Sequence, residues 1–187
     1  MKLFLDMDDT LLKAEFEKKR RIFYKPDFSV EIGLNNKKEK EIVNVYKRPD
    51  LDYFLENVSE MCKVSIFTSS LPLYAIPILR EIDPERQFKR LYRNDTVPYN
   101  GYPHVKSLNS LGCDLSQTVI VDDNPIAMCT DPDNAILIKR YHPFNGIDEE
   151  LYALIKIIED LSELTDVRPY LRSKFGFRKQ VEANNLN

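Results

Sequence analysis

No apolar run in the 187 residues approaches the roughly 20 needed to cross a bilayer, so no membrane span is expected. Positive charge is not in surplus: 27 basic residues face 30 acidic ones, a net charge of −3. A nucleic-acid-binding domain usually carries a basic stripe, so direct nucleic-acid binding is not expected either. Cysteine is sparse. Cys62, Cys113 and Cys129 are odd in number and lack metal-type spacing, which reads as reduced structural thiols in an intracellular protein. The chain opens with Met1-Lys2 and a short apolar run that gives way to acids, without the long apolar stretch of a signal peptide. Repeats and low-complexity tracts are missing as well.

Hydrophobic residues make up 43% and charged residues 30%, a composition that suits a folded domain with a sizeable core. One domain is expected over residues 1–187, with a tail frayed from about 179 to 187. Short apolar runs at Leu3–Leu5, Val64–Phe67, Val119–Val121 and Ala135–Ile138 read as strands. Amphipathic patterns near 50–61, 71–82, 105–112 and 148–164 read as helices. Strands without alternation, separated by helices, predict an α/β fold: a central parallel sheet flanked by helices. Ligands of such sheets sit beyond the carboxyl ends of the strands. Two segments interrupt the rhythm. Residues 27–48 carry two alternating runs around a charged tip and predict a β-hairpin, and residues 88–104 are dense in turn chemistry around short strands. Both read as insertions near the working edge of the sheet.

The chemistry concentrates at strand ends. Leu3-Phe4-Leu5 runs into Asp6-Met7-Asp8-Asp9-Thr10, and alternation puts Asp6 and Asp8 on one side of the backbone. Unpaired carboxylates are costly to bury, and a hard divalent cation is their simplest partner. Taken alone, a surface turn with Asp9 or Thr10 capping a short helix is an equal alternative. The next strand ends in Phe67-Thr68-Ser69-Ser70 before a helix with Pro72 near its start. Ser70 as an N-cap explains this segment; exposed amides and hydroxyls also make a phosphate site there. A third strand ends in Asp122-Asp123-Asn124-Pro125 and repeats the electrostatic problem of the first. Lys106 lies between the second and third of these strands in sequence.

In this order, Asp6-Met7-Asp8-Asp9-Thr10, Thr68, Lys106 and Asp122-Asp123 resemble the four motifs of the haloacid-dehalogenase (HAD) phosphatases. The chain is most similar to the small C-terminal-domain phosphatases, the NLI-interacting-factor-like family. Tyr46-Lys47-Arg48-Pro49, Phe67–Leu71, Leu91-Tyr92-Arg93, Val105–Gly112 and Val119–Pro125 support this, and the likeness runs from about residue 2 to 175. The resemblance implies a HAD-like Rossmannoid fold and a Mg²⁺ cofactor. It makes Asp6 the nucleophile that forms an aspartyl-phosphate, and Asp8 the general acid and base. It gives the metal the carboxylates of Asp6 and Asp122 and the backbone carbonyl of Asp8, with Asp123 holding a metal-bound water. Thr68, the neighbouring Ser69 and Lys106 would bind the phosphoryl oxygens, and Arg93 would touch the substrate from the insertion. Asp9 has no direct chemical role in this reading, and Thr10 steadies the loop.

The implied activity is that of a protein serine/threonine phosphatase on phosphorylated proteins or peptides. Its substrates would include serines followed by proline in the RNA polymerase II C-terminal repeats. The stretch from Thr68 to Lys106 is too short for a cap that seals in a metabolite, which favours a protein substrate. Phe28, Val30, Val43 and Leu71 are candidates for an apolar pocket by analogy, against ordinary packing. Lys13, His104 and Ser107 depart from the family's usual residues, and Asn94–Pro103 resembles it only loosely. Lys18-Lys19-Arg20-Arg21 reads as a nuclear localisation element or a guide for acidic phosphopeptides, against a solvated loop after Glu15 and Glu17. A monomer in the nucleus or cytoplasm is expected. The alternatives are a HAD phosphatase of small phosphorylated metabolites and a non-catalytic binding module like the mitochondrial import subunit of this fold.

Overall fold

A computed structural model describes residues 1–19, 24–33 and 40–183. The tip of the expected hairpin (34–39), Arg20 and Arg21 of the basic run, and residues 184–187 lie outside the described residues. In chain order the strands and helices are β1 (Lys2–Leu5), β2 (Leu12–Phe16), β3 (Phe28–Gly33), β4 (Lys40–Lys47), α1 (Leu51–Met61), β5 (Lys63–Phe67), α2 (Pro72–Ile82) and β6 (Lys89–Leu91). There follow β7 (Val97–Tyr99), β8 (Tyr102–Val105), β9 (Thr118–Asp122), β10 (Ala135–Leu137), α3 (Glu150–Ser162), α4 (Arg168–Lys174) and α5 (Phe177–Ala183).

Five strands form a parallel sheet in the order β10-β9-β1-β5-β6. β1 is central, with Leu5 opposite Ile66 on one side and Val121 on the other. Alternate residues feed opposite faces. Leu3, Leu5, Val64, Ile66, Val119 and Val121 join a core completed by α1 and α3, while Phe4, Phe67 and Ile120 meet Phe177 and Val181 of α5. Burial on both faces explains why these strands read as continuous apolar runs. In α1, Leu51, Phe54, Leu55 and Val58 are buried; in α3, Leu151, Leu154, Ile158 and Leu161 are. These are the spacings of a single inward stripe.

The hairpin of β3 and β4 is antiparallel, as expected, but β2 pairs on the other side of β4 and makes a three-stranded sheet. Val30 and Val43 are buried within the core. Neither therefore lines an open pocket, whereas Leu71 is exposed and Phe28 half-buried. Residues 89–91 are not an insertion: β6 is the edge of the main sheet, and only β7 and β8 form an added hairpin.

The helix expected over 105–112 does not form: Val105 ends β8 and residues 108–112 are turns. Its backbone groups are taken elsewhere: Lys106 N–H donates to Ala127 O, Leu108 N–H to Asp131 Oδ2 and Ser110 N–H to Ser107 Oγ. The tail expected to fray from 179 is instead α5 as far as Ala183. The pair Phe177 and Val181, four residues apart, is buried, which anchors it.

Candidate active site

The strand order reverses direction at β1: β5 and β6 build away on one side, β9 and β10 on the other. A crevice at the carboxyl ends is the usual result. A cavity of about 160 Å³ lies there, lined by Asp6, Asp8, Thr68, Ser69, Ser70, Lys106, Asp122, Asp123 and Arg140 among others. Every sequence-predicted site residue except Arg93 lines it.

Asp6 leaves β1 with its N–H on Val121 O at 3.0 Å, which locks it against the end of β9. Lys106, buried on a turn, donates from Nζ to Asp6 Oδ1 and to Asp122 Oδ2, the latter at 2.6 Å. Phe67 presents its ring to the same ammonium, 5.7 Å from the centroid. Burial and the nearby Asp122 carboxylate raise the Asp6 carboxyl well above its ordinary range, although Lys106 opposes this. Burial likewise raises Asp122, again against Lys106. Burial works against the charge on Lys106, but Asp122 and Asp6 outweigh it and hold the ammonium protonated. With both ionised, two carboxylates around one ammonium are net negative. Such a group is stable in the interior only with further cationic or hydrogen-bonded support.

Asp8 points elsewhere. Its Oδ2 accepts from Ser70 Oγ at 3.0 Å and its Oδ1 from Tyr74 OH at 2.7 Å. Burial raises this carboxyl, and the two hydroxyls hold it down in part. Ser70 is therefore a partner of Asp8 and not an N-cap: Leu71 occupies that position, without a side-chain cap. Thr68 is fixed by its N–H on Leu91 O and accepts from Ser70 N–H at Oγ1. Ser69 lines the cleft, and its carbonyl accepts from Arg93 Nε at 2.7 Å. Arg93 thus supports the cleft wall from outside the lining.

Ligand atoms of Asp6, Asp122 and Asp123 lie within 4.8 Å of one another. This is an all-oxygen set of the kind hard divalent cations take, and the Lys106 ammonium against two of its members marks a place built for positive charge. The residues fit Mg²⁺. The carboxylate of Asp8 is turned to its hydroxyl partners and is not part of this set. Asp123 is oriented by Arg140 Nε at 2.7 Å, and its N–H donates to Thr10 Oγ1 at 3.2 Å, the loop-steadying contact expected of Thr10. Asp9 adopts φ 63° and holds Lys13 at 2.6 Å. There is no helix for Asp9 or Thr10 to cap.

Sequence reasoning missed Tyr74 and Arg140. A tyrosine in the first turns of an amphipathic helix reads as packing, and a lone arginine after a strand reads as solvated.

Residues 1–168 match the sequence profile described as NLI interacting factor-like phosphatase. CTD small phosphatase-like protein 2 of Dictyostelium discoideum is 37% identical over 174 residues, 92% of this chain and 29% of that protein. Carboxy-terminal domain RNA polymerase II polypeptide A small phosphatase 1 of Homo sapiens is 33% identical over 169 residues, 90% of this chain and 62% of that protein. The chain spans less than two thirds of the length of either. The CTD nuclear envelope phosphatase 1 homolog of Drosophila melanogaster is 31% identical over 175 residues, 90% of this chain and 70% of that protein. Among solved structures, fission yeast RNA polymerase II CTD phosphatase Fcp1 bound to beryllium fluoride superposes with a TM-score of 0.64 at 24% identity. That match covers 97% of this chain and 54% of the other, and shows a shared HAD-like fold. With the profile covering nearly its whole length, the chain belongs to the NLI interacting factor-like phosphatase family.

Proposed function

We propose that this chain is a Mg²⁺-dependent phosphoprotein phosphatase acting on phosphoserine or phosphothreonine. The observation that carries this is the convergence of Asp6, Asp8, Thr68, Lys106, Asp122 and Asp123 in one open cleft. Asp6 attacks phosphorus in line, the P–O bond to the serine oxygen breaks, and Asp8 passes a proton to the leaving alkoxide. Water then attacks the aspartyl-phosphate, Asp8 takes its proton, and Asp6 is freed as orthophosphate forms. Lys106, Thr68 and the Ser69 amide hold the phosphoryl oxygens, whose charge spreads in the transition state. Asp6 and Asp122, with the Asp8 carbonyl and Asp123 through a water, would hold Mg²⁺, which would supply charge neutralisation between the two anions.

The stretch between Thr68 and Lys106 holds α2, β6 and the small β7–β8 hairpin, with no separate cap domain, which supports a polypeptide substrate. Relatives named as small phosphatases of the RNA polymerase II C-terminal domain support peptides of that type. The reading includes an intracellular monomer, nuclear or cytoplasmic, that binds no nucleic acid. Among the described residues no helix is long and apolar enough to cross a membrane.

Phosphopeptides assayed beside sugar and nucleotide phosphates test the proposal. Phosphopeptide hydrolysis should be preferred, stop with EDTA and fall on the order of 10³-fold or more in Asp6→Asn. Full activity of that variant overturns the nucleophile, and a metabolite preference overturns the substrate class.

A further inference from the structure

We infer that Arg140 is a specificity residue that receives a second anionic group of the substrate, a carboxylate or phosphate on a residue close to the scissile phosphoserine. Arg140 follows β10 and lines the cleft at its rim. Its Nε alone is engaged, at 2.7 Å from Asp123 Oδ2 and 3.5 Å from Asp9 Oδ2. Among the described residues neither terminal amino group of the guanidinium has a partner, and the side chain is 66% exposed. The fork is therefore held from behind and presented to solvent in front. A guanidinium fixed in this way matches carboxylate and phosphate oxygens two at a time.

A second cation stands at this rim beside Arg140. Asp9, in a left-handed conformation at φ 63°, gives its other oxygen to Lys13 at 2.6 Å. One carboxylate thus lies between two cations, and Asp123 is only 5% exposed beneath the guanidinium. The two carboxylates orient the arginine and leave its outer edge unsaturated. Asp6 and Asp123 oxygens lie within 4.8 Å of each other, and Arg140 lies 2.7 Å from Asp123. That separation corresponds to about two or three residues of extended chain, so an acidic side chain near the phosphoserine reaches both.

This inference rests on the proposed phosphatase reading, and the experiment separates the two. Phosphoserine peptides carrying glutamate or a second phosphoserine at each position within three residues are compared with neutral peptides. An aryl phosphate is assayed in parallel. The wild-type chain should favour acidic peptides in at least one register by about tenfold in kcat/KM, the scale of one charge-assisted contact. The preference should shrink as salt rises. Arg140→Ala should bring the ratio to within about twofold and Arg140→Lys should keep part of it. Because the readout is a ratio, any loss through misplacement of Asp123 cancels. Anisotropy titration of the same peptides against Asp6→Asn reports the preference without turnover. If no phosphate ester is hydrolysed but acidic peptides bind more tightly, the phosphatase reading fails and Arg140 keeps its role. If wild type has no acidic preference in either assay, or Arg140→Ala retains it, the inference is overturned and Arg140 is a strut for Asp123.

Discussion

Asp8 is held by hydroxyls on both oxygens, Tyr74 at 2.7 Å and Ser70 at 3.0 Å, while Asp6 is held by an ammonium. The two acids, separated by one residue, therefore have different partners and different chemistry. A general acid matters most when the leaving group is poor. Tyr74→Phe frees one oxygen of Asp8 and should lower kcat on a phosphoserine peptide by about tenfold, against less than about threefold on dinitrophenyl phosphate. Equal losses on both would make Tyr74 a packing residue. At this scale the sequence carried much of the site: alternation paired Asp6 with Asp8, and a second acidic strand end pointed to Asp122 and Asp123. Tyr74 and Arg140 were illegible because a single aromatic or a single cation has no pattern of its own. Their roles depend on which distant carboxylate they meet.

At the scale of elements, the parallel sheet was readable because strands buried on both faces cannot disguise their apolar runs. Segments whose backbone bonds go to side chains were not readable. Residues 105–112 have helical spacing, yet Asp131 pins the backbone at Leu108 and the bonds that follow close turns, Gly112 N–H on Asn109 O and Cys113 N–H on Leu108 O. The C-terminal helices depend on a similarly distant acid. Asp133 accepts from Arg172 and Arg178, and chiefly the Arg178 contact holds its carboxyl below the ordinary carboxylate range. A depressed carboxyl gives stability that is fully present above its unfolded pKa, near 4, and is lost as pH falls through the folded value. Asp133→Asn should therefore be less stable than wild type at pH 7, by about 1 kcal/mol or less given the exposed arginines. The gap should narrow at pH 3, where the carboxyl begins to take up its proton. Thermal unfolding followed by circular dichroism at the two pH values checks this.

Across the whole molecule, Arg48 joins segments that are far apart in sequence. Fully buried, it donates to Asp148 through Nε and Nη2, to Thr10 O through Nη1 and to Lys139 O through Nη2. It thereby fastens the loop after β1 to the segment after β10, the two stretches that carry Asp9 and Arg140. Removing the acid strands a buried charge. Asp148→Ala should cost about 3–5 kcal/mol, a fall in melting temperature of roughly 6–20 °C. A loss under 1 kcal/mol in a chemical-denaturation series would show that water reaches Arg48.

The central position of β1 also has a temporal side. Leu5 pairs with Ile66 and Val121, partners that follow it in the chain by 61 and 116 residues. Pairings of such separation give a high contact order and slow, late ordering. At about 5–20 residues per second, the ribosome makes β9 roughly 6–23 s after β1. At the same rate Leu3-Phe4-Leu5 waits roughly 3–12 s for its first sheet neighbour, and Asp6 waits roughly 5–20 s for Lys106. The segment that carries Asp6 is thus made well before the strands that enclose it, and during that wait it depends on whatever shields nascent apolar chain.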